Sequence, residues 1–393
     1  MFYLINVLFV VIFFFGKYFL ESGAGPLNGF ALLIAISAVI FLSRVYDCLA
    51  ILGSQLWLVV FCLAGFGSIA LSYLGVYHFI FGIPTVSAYV IRQGYFFPMF
   101  LLFVPVFTLA WREGLMKYLN EREFQIHPLI TGAVVIALLL IGYYNLSGNI
   151  LLLIPILFIS KRNKLLSLLF LFVWYFFSYT GIVNTIMLAI SVMYILTNFL
   201  LTRKTFLAFA AVAVILMMSL GTANILRLSQ IDSNSAWRFY VWTKNIQYSL
   251  VNTYGAGVGY GTPYFLGTKY DLAFVALSGR GGTSVENSGD QEAMVRGQHN
   301  SLVNIFYRLG VAGTLIFLQF ILSLYKKMGA QELDSLYGIL LLFALMDIST
   351  NVGLESPATF IQFVLIIGFV INAIATPALS SHSLVQNVEP VTG

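Results

Sequence analysis

One histidine and two arginines stand close enough together in this sequence to do chemistry. The stretch reads Arg296-Gly-Gln-His299-Asn300-Ser301 and continues to Arg308. A neutral imidazole with a pKa of about 6.5 can take a proton from a hydroxyl group at neutral pH. His299 is therefore a candidate general base, although a lone histidine is more often a tolerated polar residue. Asn300 or Ser301 can cap the helix predicted to begin there.

Arg308 lies in an apolar run, roughly two turns into that predicted helix. A cation inside a membrane-spanning helix is costly and usually functional. Arg308 either contacts a substrate or forms a structural pair with Asp347 near the end of the next helix. Gly310 and Gly313 fall on one face of the same helix, where small residues permit close packing of a neighbour.

The segment 226–300 is the only long polar part of the chain. It carries cationic, acidic and aromatic side chains, among them Arg238, Trp242, Arg280 and Arg296. Aromatic rings interspersed with polar groups suit the faces of sugars, which present C–H patches beside hydroxyls. A solvated cap with aromatic anchors at the membrane interface is the alternative interpretation.

The composition requires a membrane around these elements. Of 393 residues, 60% are hydrophobic and only 9% are charged, against roughly 25% charged residues in soluble domains. The net charge of +5 is no sign of nucleic-acid binding, because the cations stand at helix ends. Cys48 and Cys62 lie in apolar stretches and are interpreted as small core residues rather than a disulfide.

A membrane helix needs about 20 apolar residues, and this rule predicts an all-α integral membrane protein with about twelve spans. The first is interpreted as a retained span rather than a cleaved signal, and the sixth is short enough to be tilted or re-entrant. Residues 73–93 are predicted to form an extracytoplasmic loop, and 111–127 to lie along the membrane surface. The predicted spans are 2–20, 27–43, 49–72, 94–111, 128–146, 148–160, 165–181, 183–202, 205–225, 301–325, 335–351 and 357–376.

Lysine and arginine predict the orientation of these spans. With twelve spans, all the basic clusters fall on one side, which the positive-inside rule assigns to the cytoplasm. The predicted organisation is helices 1–9 in residues 1–225, a periplasmic loop in 226–300, helices 10–12 in 301–376 and a cytoplasmic tail in 377–393. The basic clusters are Arg44, Arg112/Lys117/Arg122, Lys161/Arg162/Lys164, Arg203/Lys204 and Lys326/Lys327.

The motifs resemble those of the O-antigen ligase and Wzy-type polymerase family. His299-Asn300, nine residues and Gly310-Val-Ala-Gly313 match the family's recurring signature. Upstream, Trp237-Arg238-Phe-Tyr-Val-Trp242 and the run of alternate glycines from Gly255 to Gly261 look like two further family segments. The motifs cover about residues 205–327, and the rest of the resemblance is topological.

The resemblance implies a bacterial inner-membrane glycosyltransferase with a GT-C-like architecture and an undecaprenyl-diphosphate-linked glycan as donor. His299 would act as base in a single inverting displacement, and Arg238 would hold the leaving diphosphate. The resemblance implies no cofactor. The partners that it implies are a glycan acceptor and the bilayer, and it is also compatible with a chain-length regulator and a flippase as protein partners. The expected substrate-binding residues are Arg296, Arg308, Arg280, Asn300, Trp242, Gly257 and Gly259.

Three further features of the sequence bear on this resemblance. Members of the family often carry a Ser-Arg pair near the middle of the chain, whereas residues 178–184 here contain no arginine. The glycine run either approaches a sugar or diphosphate closely or forms an ordinary flexible turn. Glu286, Asp290 and Glu292 are better interpreted as solvated acids than as metal ligands, so we expect metal-independent chemistry.

Two enzymes, a polymerase and a ligase, share this donor chemistry, and the motifs do not distinguish between them. We favour a polymerase, which joins one lipid-linked glycan to another, over a ligase, which transfers the glycan to lipid A–core. From another functional class, a flippase would also suit twelve spans. A carrier, however, places its polar residues near the midplane in related halves, and this sequence has no internal repeat. A structural or sensory membrane protein is the remaining alternative.

Overall fold

The protein is described by a computed structural model that covers residues 29–113, 150–160, 163–177, 182–197, 233–263, 300–330, 335–350, 354 and 356–385. All regular secondary structure in these ranges is helical, which confirms the predicted all-α fold class. The predicted spans 2–20, 128–146 and 205–225 lie outside the described residues, so the total of about twelve spans stays a prediction.

The helices at the predicted spans mostly begin and end close to the predicted borders, but the last one extends beyond 376 to Val385. Helices also occur within the predicted loops 73–93 and 226–300. A short 3₁₀ turn at Ile150–Leu152 precedes α7. The α-helices are α1 (Gly29–Ser43), α2 (Val45–Ser54), α3 (Leu56–Tyr73), α4 (Val76–Phe81), α5 (Ser87–Gly94), α6 (Phe96–Glu113), α7 (Leu153–Ile159), α8 (Lys164–Phe177), α9 (Ile182–Thr197), α10 (Ser233–Thr253), α11 (Ser301–Ala330), α12 (Ser335–Thr350) and α13 (Pro357–Val385).

Three helical stretches of the described chain are long and apolar enough to cross a membrane. They are α3, the stretch Ser87–Glu113 formed by α5 and α6, and Ser301–Met328 of α11. The pair α1 and α2 also passes this test but is bent by 96°. Shorter apolar helices occur at α8, α9, α12 and α13. These helices indicate a membrane protein.

The predicted span 49–72 is divided in two. Helix α2 ends at Ser54 and α3 begins at Leu56. Gly53 and Ser54 have low helix propensity, and the Ser54 hydroxyl donates back to the carbonyl oxygen of Ile51 at 2.7 Å. The ammonium group of Lys327 donates to the Ser54 carbonyl oxygen at 2.6 Å. A distant lysine therefore satisfies an acceptor that the break exposes.

Aromatic packing between α6 and α13 forms the centre of the core. The Phe100 and Phe360 rings meet edge to face at 5.0 Å, and Trp111 meets Phe369 at 4.9 Å. Because lipid tails are as apolar as leucine, such packing, rather than burial away from water, holds membrane helices together. Each pair contributes about 0.5–1.5 kcal/mol beyond its area.

Trp111 corrects one predicted border. The sequence predicts that Trp111 begins a surface stretch, but it is 1% exposed and its indole N–H donates to the Leu365 carbonyl oxygen at 3.0 Å. This hydrogen bond satisfies the polar edge of the indole and lets the ring enter the core. The remainder of that stretch, 114–127, lies outside the described residues.

Basic residues gather at one end of the helices. Arg44 forms ion pairs with Asp47 and with Glu113, the last residue of α6. Lys327, near the end of α11, reaches the start of α3. We name this side the basic end. The three long helical stretches therefore have their other termini, at Tyr73, Ser87 and Ser301, at the opposite end.

The two ends are predicted to face different compartments. Tyr46, beside Arg44, and Ser87, at the opposite end, are both exposed, whereas Cys48 and Cys62 are each 0% exposed. Tyr46→Cys is therefore expected to react with a membrane-impermeant maleimide only after spheroplasts are permeabilised. Ser87→Cys is expected to react in intact spheroplasts, and the unsubstituted protein in neither condition. Equal labelling of both variants in intact spheroplasts would contradict the orientation.

Candidate functional site

The start of α11 is fixed by the two residues that the sequence offers as caps. The side-chain oxygen of Asn300 accepts a hydrogen bond from the Val303 N–H at 2.9 Å, which confirms Asn300 as the cap. The Ser301 hydroxyl oxygen instead accepts the Leu354 N–H at 2.8 Å and ties this helix start to the segment before α13. The Asn300 side-chain nitrogen has no hydrogen-bond partner among the described residues.

Helix α11 is broken at Gly310, which adopts φ 68° and ψ −162°. In an unbroken helix the Val311 N–H would donate to the carbonyl oxygen of Tyr307. Here it donates to the Gly255 carbonyl oxygen at 2.9 Å. The Tyr307 carbonyl oxygen accepts the Val258 N–H at 2.8 Å instead. A second chain segment thus provides the hydrogen bonds that the helix loses.

That segment is residues 254–262, which we name the glycine segment. Its four alternate glycines all have positive φ, between 78° and 87°, and Tyr254 before them has φ 52°. A Cβ on Gly257 would come within 2.6 Å of both the Arg308 carbonyl oxygen and the Gly310 nitrogen. A Cβ on Gly259 would meet the Tyr77 ring at 2.5 Å. Both the backbone conformation and the lack of space therefore require glycine.

The glycine segment is also bonded to α3 and α5. The Ser72 hydroxyl oxygen accepts the Tyr260 N–H at 2.8 Å. The Gln93 side chain accepts the Gly261 N–H at 2.7 Å and donates to the Thr262 carbonyl oxygen at 3.2 Å. The segment thus forms a strap that is hydrogen-bonded to three helical stretches.

Ser72 and Gln93 are not among the predicted site residues. Each is at most 3% exposed, and a buried polar side chain implies a hydrogen-bond partner. Nearby, Tyr77 and Ser68 share a hydrogen bond of 3.0 Å. Burial raises the pKa of the Tyr77 phenol above its ordinary value of 10.0, and the Ser68 hydrogen bond opposes this shift. Tyr77 therefore stays protonated at neutral pH.

Arg308 is 0% exposed and lies directly beside the helix break. One of its terminal nitrogens, Nη1, donates to the Gly259 carbonyl oxygen at 3.0 Å, while its own carbonyl oxygen accepts the Gly259 N–H at 3.1 Å. Backbone and side chain of this arginine therefore both hold the glycine segment. Contact with a substrate and pairing with Asp347 stay predictions.

Helix α10 carries the other predicted site residues, Arg238 and Trp242. Arg238 is partly buried and Trp242 is 6% exposed. Five residues at helical spacing form one stripe on the inner face of α10, and the last three are each 0% exposed. We name this stripe, Arg238, Trp242, Asn245, Ser249 and Thr253, the polar stripe.

The outer face of α10 has the opposite character at its C-terminal end. Leu250 is 48% exposed, Val251 65% and Tyr254 89%. A helix in water buries its apolar face, whereas this end turns apolar residues outward and polar residues inward. The pattern is typical of a helix that borders lipid and lines a polar interior.

The structure therefore brings some of the predicted site residues into contact, while others lie outside the described residues. Gly257, Gly259 and Arg308 contact one another, and the polar stripe ends at Thr253, whose hydroxyl oxygen accepts the Gly257 N–H at 3.1 Å. The close approach that Gly257 and Gly259 allow is to protein backbone, and binding of a substrate by them stays a prediction. The residues predicted as base, cation and acidic groups that lie outside the described ranges are Arg280, Glu286, Asp290, Glu292, Arg296 and His299.

Substitution at the helix break should destabilise the protein. A Cβ at Gly310 would collide with the backbone of Gly255 and Ala256, and φ 68° is strained for any other L-residue. We expect Gly310→Ala and Gly257→Ala each to reduce the free energy of unfolding by more than about 2 kcal/mol. The measurement is the thermal unfolding temperature in detergent, which should fall.

Gly67→Ala is the matched control, because Gly67 is helical and no atom lies within 4 Å of the position that an added Cβ would take. Alanine there is expected to leave the unfolding temperature unchanged or to raise it slightly. Equal tolerance of all three substitutions would show that the glycine segment does not constrain α11.

No model of a known protein family matches the chain, and no characterised protein sequence matches it either.

Proposed function

We propose that this protein is a bacterial inner-membrane glycosyltransferase that polymerises undecaprenyl-diphosphate-linked oligosaccharides on the periplasmic face. One observation carries the proposal. Two of the three sequence elements behind the family resemblance, the glycine segment and the signature that contains Gly310, are distant in sequence but meet through the hydrogen bonds at the break in α11. Elements that are recognised separately in the sequence thus belong to one structural unit.

The proposed reaction is a single displacement at the anomeric carbon of the donor. A hydroxyl oxygen of the acceptor glycan attacks that carbon, and the bond to the diphosphate oxygen breaks with inversion. The imidazole of His299 takes the hydroxyl proton, and Arg238 balances the charge that develops on the leaving diphosphate. Arginine suits this task because its planar donors can bind phosphate through two hydrogen bonds.

The surroundings of Arg238 and Asn300 support these assignments. Arg238 belongs to the polar stripe, which leads along α10 to the glycine segment. Asn300 caps the start of α11, where the helix dipole and free N–H groups favour negative charge. His299 immediately precedes Asn300 in the sequence. The unused amide hydrogens of Asn300 are available to orient the imidazole or the acceptor.

Arg308 and Trp242 complete the proposed site in different ways. Arg308 is buried beside the glycine segment and is a candidate substrate-binding cation, as are Arg280 and Arg296. Trp242 offers an aromatic face for the C–H side of a sugar ring. The helix end opposite the basic end corresponds, in this proposal, to the periplasmic surface.

Single substitutions at the proposed base and cation should abolish polymerisation without removing the protein. We expect His299→Ala to lower the rate of glycan elongation by about 100- to 10,000-fold, and Arg238→Ala by about 100- to 1,000-fold. The measurement is elongation of undecaprenyl-diphosphate-linked glycan by purified protein in liposomes, with the surface-polysaccharide length profile in cells beside it.

His78→Ala and Arg92→Ala are the matched controls, because both side chains are exposed and lie on helices near the same end of the molecule. Wild-type chain lengths in His299→Ala and Arg238→Ala at normal protein levels would overturn the proposal. Transfer to lipid A–core without elongation would assign a ligase, and movement of lipid-linked glycan across the bilayer without either reaction would assign a flippase.

A further inference from the structure

Asn245, in the middle of the polar stripe, carries a buried side-chain amide. The residue is 0% exposed. Neither its side-chain oxygen nor its side-chain nitrogen has a hydrogen-bond partner within the part of the chain that the structure describes. A buried amide without partners destabilises a protein by about 1–3 kcal/mol. Its neighbours on the stripe differ, since Ser249 and Thr253 are bonded to each other or to nearby backbone.

The position of Asn245 relates it to the proposed site. It lies about 10 Å along the helix axis from Arg238 and about 12 Å from Thr253, at a rise of 1.5 Å per residue. Tyr248, less than a turn away, packs against a buried cluster of Ile83, Val258 and Tyr307. Asn245 is therefore held between the proposed diphosphate-binding arginine and the glycine segment.

We propose that Asn245 determines specificity by hydrogen bonding to a carbohydrate hydroxyl or acetamido group of the lipid-linked donor. An asparagine amide offers both donors and an acceptor, as such groups do, whereas a diphosphate only accepts and is better matched by arginine. Trp242 stands one turn away on the same stripe and adds an aromatic face. This inference rests on the proposed function and assigns the sugar-recognising part of that site.

Replacement by leucine separates binding from stability. Leucine has nearly the shape of asparagine without its polar atoms, so Asn245→Leu removes the unsatisfied amide and should keep or raise the unfolding temperature. The same variant is expected to bind an undecaprenyl-diphosphate-linked glycan about tenfold more weakly, the loss of one or two hydrogen bonds. Its affinity for undecaprenyl diphosphate without a glycan should not change. Both affinities are measured by titration of the purified protein in nanodiscs.

Asn252→Leu is the matched control, because Asn252 lies on the same helix but is exposed and donates to the Tyr248 carbonyl oxygen. It should leave both affinities unchanged. Equal affinity of wild type and Asn245→Leu for the glycan-bearing lipid would overturn the inference and leave the proposed function intact. If Asn245→Leu weakened binding of the lipid with glycan and of the lipid without glycan equally, the inference would also be overturned, since the effect would not concern the sugar. A wild-type protein that binds neither lipid would overturn the proposed function itself.

Discussion

A helix that breaks inside an apolar layer must find new partners for its backbone, because no water is available there to bond the freed N–H and C=O groups. Helix α11 breaks at Gly310, and the glycine segment supplies those partners through Gly255, Val258 and Gly259. Such close contact between two backbones is open only to residues without a side chain, so the glycine run and the helix break require each other. Arg308 is fixed at this junction by its backbone and by its guanidinium group.

The same constraint explains the inverted character of α10. Polar groups that point away from lipid must be satisfied inside the protein, and Ser249 and Thr253 achieve this through nearby backbone and the glycine segment. Towards the start of the helix, Arg238 and Trp242 continue the same face into the region where the proposed chemistry takes place. Structural polar groups and those proposed to be functional thus share one line along a single helix.

Much of the helical framework can be predicted from the sequence, because long apolar runs and alternate basic clusters are local signals. The cap at Asn300 is predictable for the same reason. Other features depend on distant partners that a single sequence does not reveal. The sequence predicts a packing notch at Gly310 in an intact helix, but the hydrogen bonds with Gly255 make this position a break. The division at Gln55 likewise depends on Lys327, far along the chain. The sequence does not predict Ser72 and Gln93 as site residues, because their partner, the glycine segment, is expected from the sequence to lie in an external loop.

The alternation of the glycine segment fixes its length. Gly255, Gly257, Gly259 and Gly261 all have positive φ, while the residues between them supply side chains and further hydrogen bonds to α3 and α11. Insertion or deletion of one residue would exchange these two sets and place Ala256, Val258 or Tyr260 in positions that only glycine tolerates. Changes of even number would keep the alternation but misalign the partners on the three helical stretches. The surface loops of such a protein can vary in length, whereas this strap is held to one register from both sides.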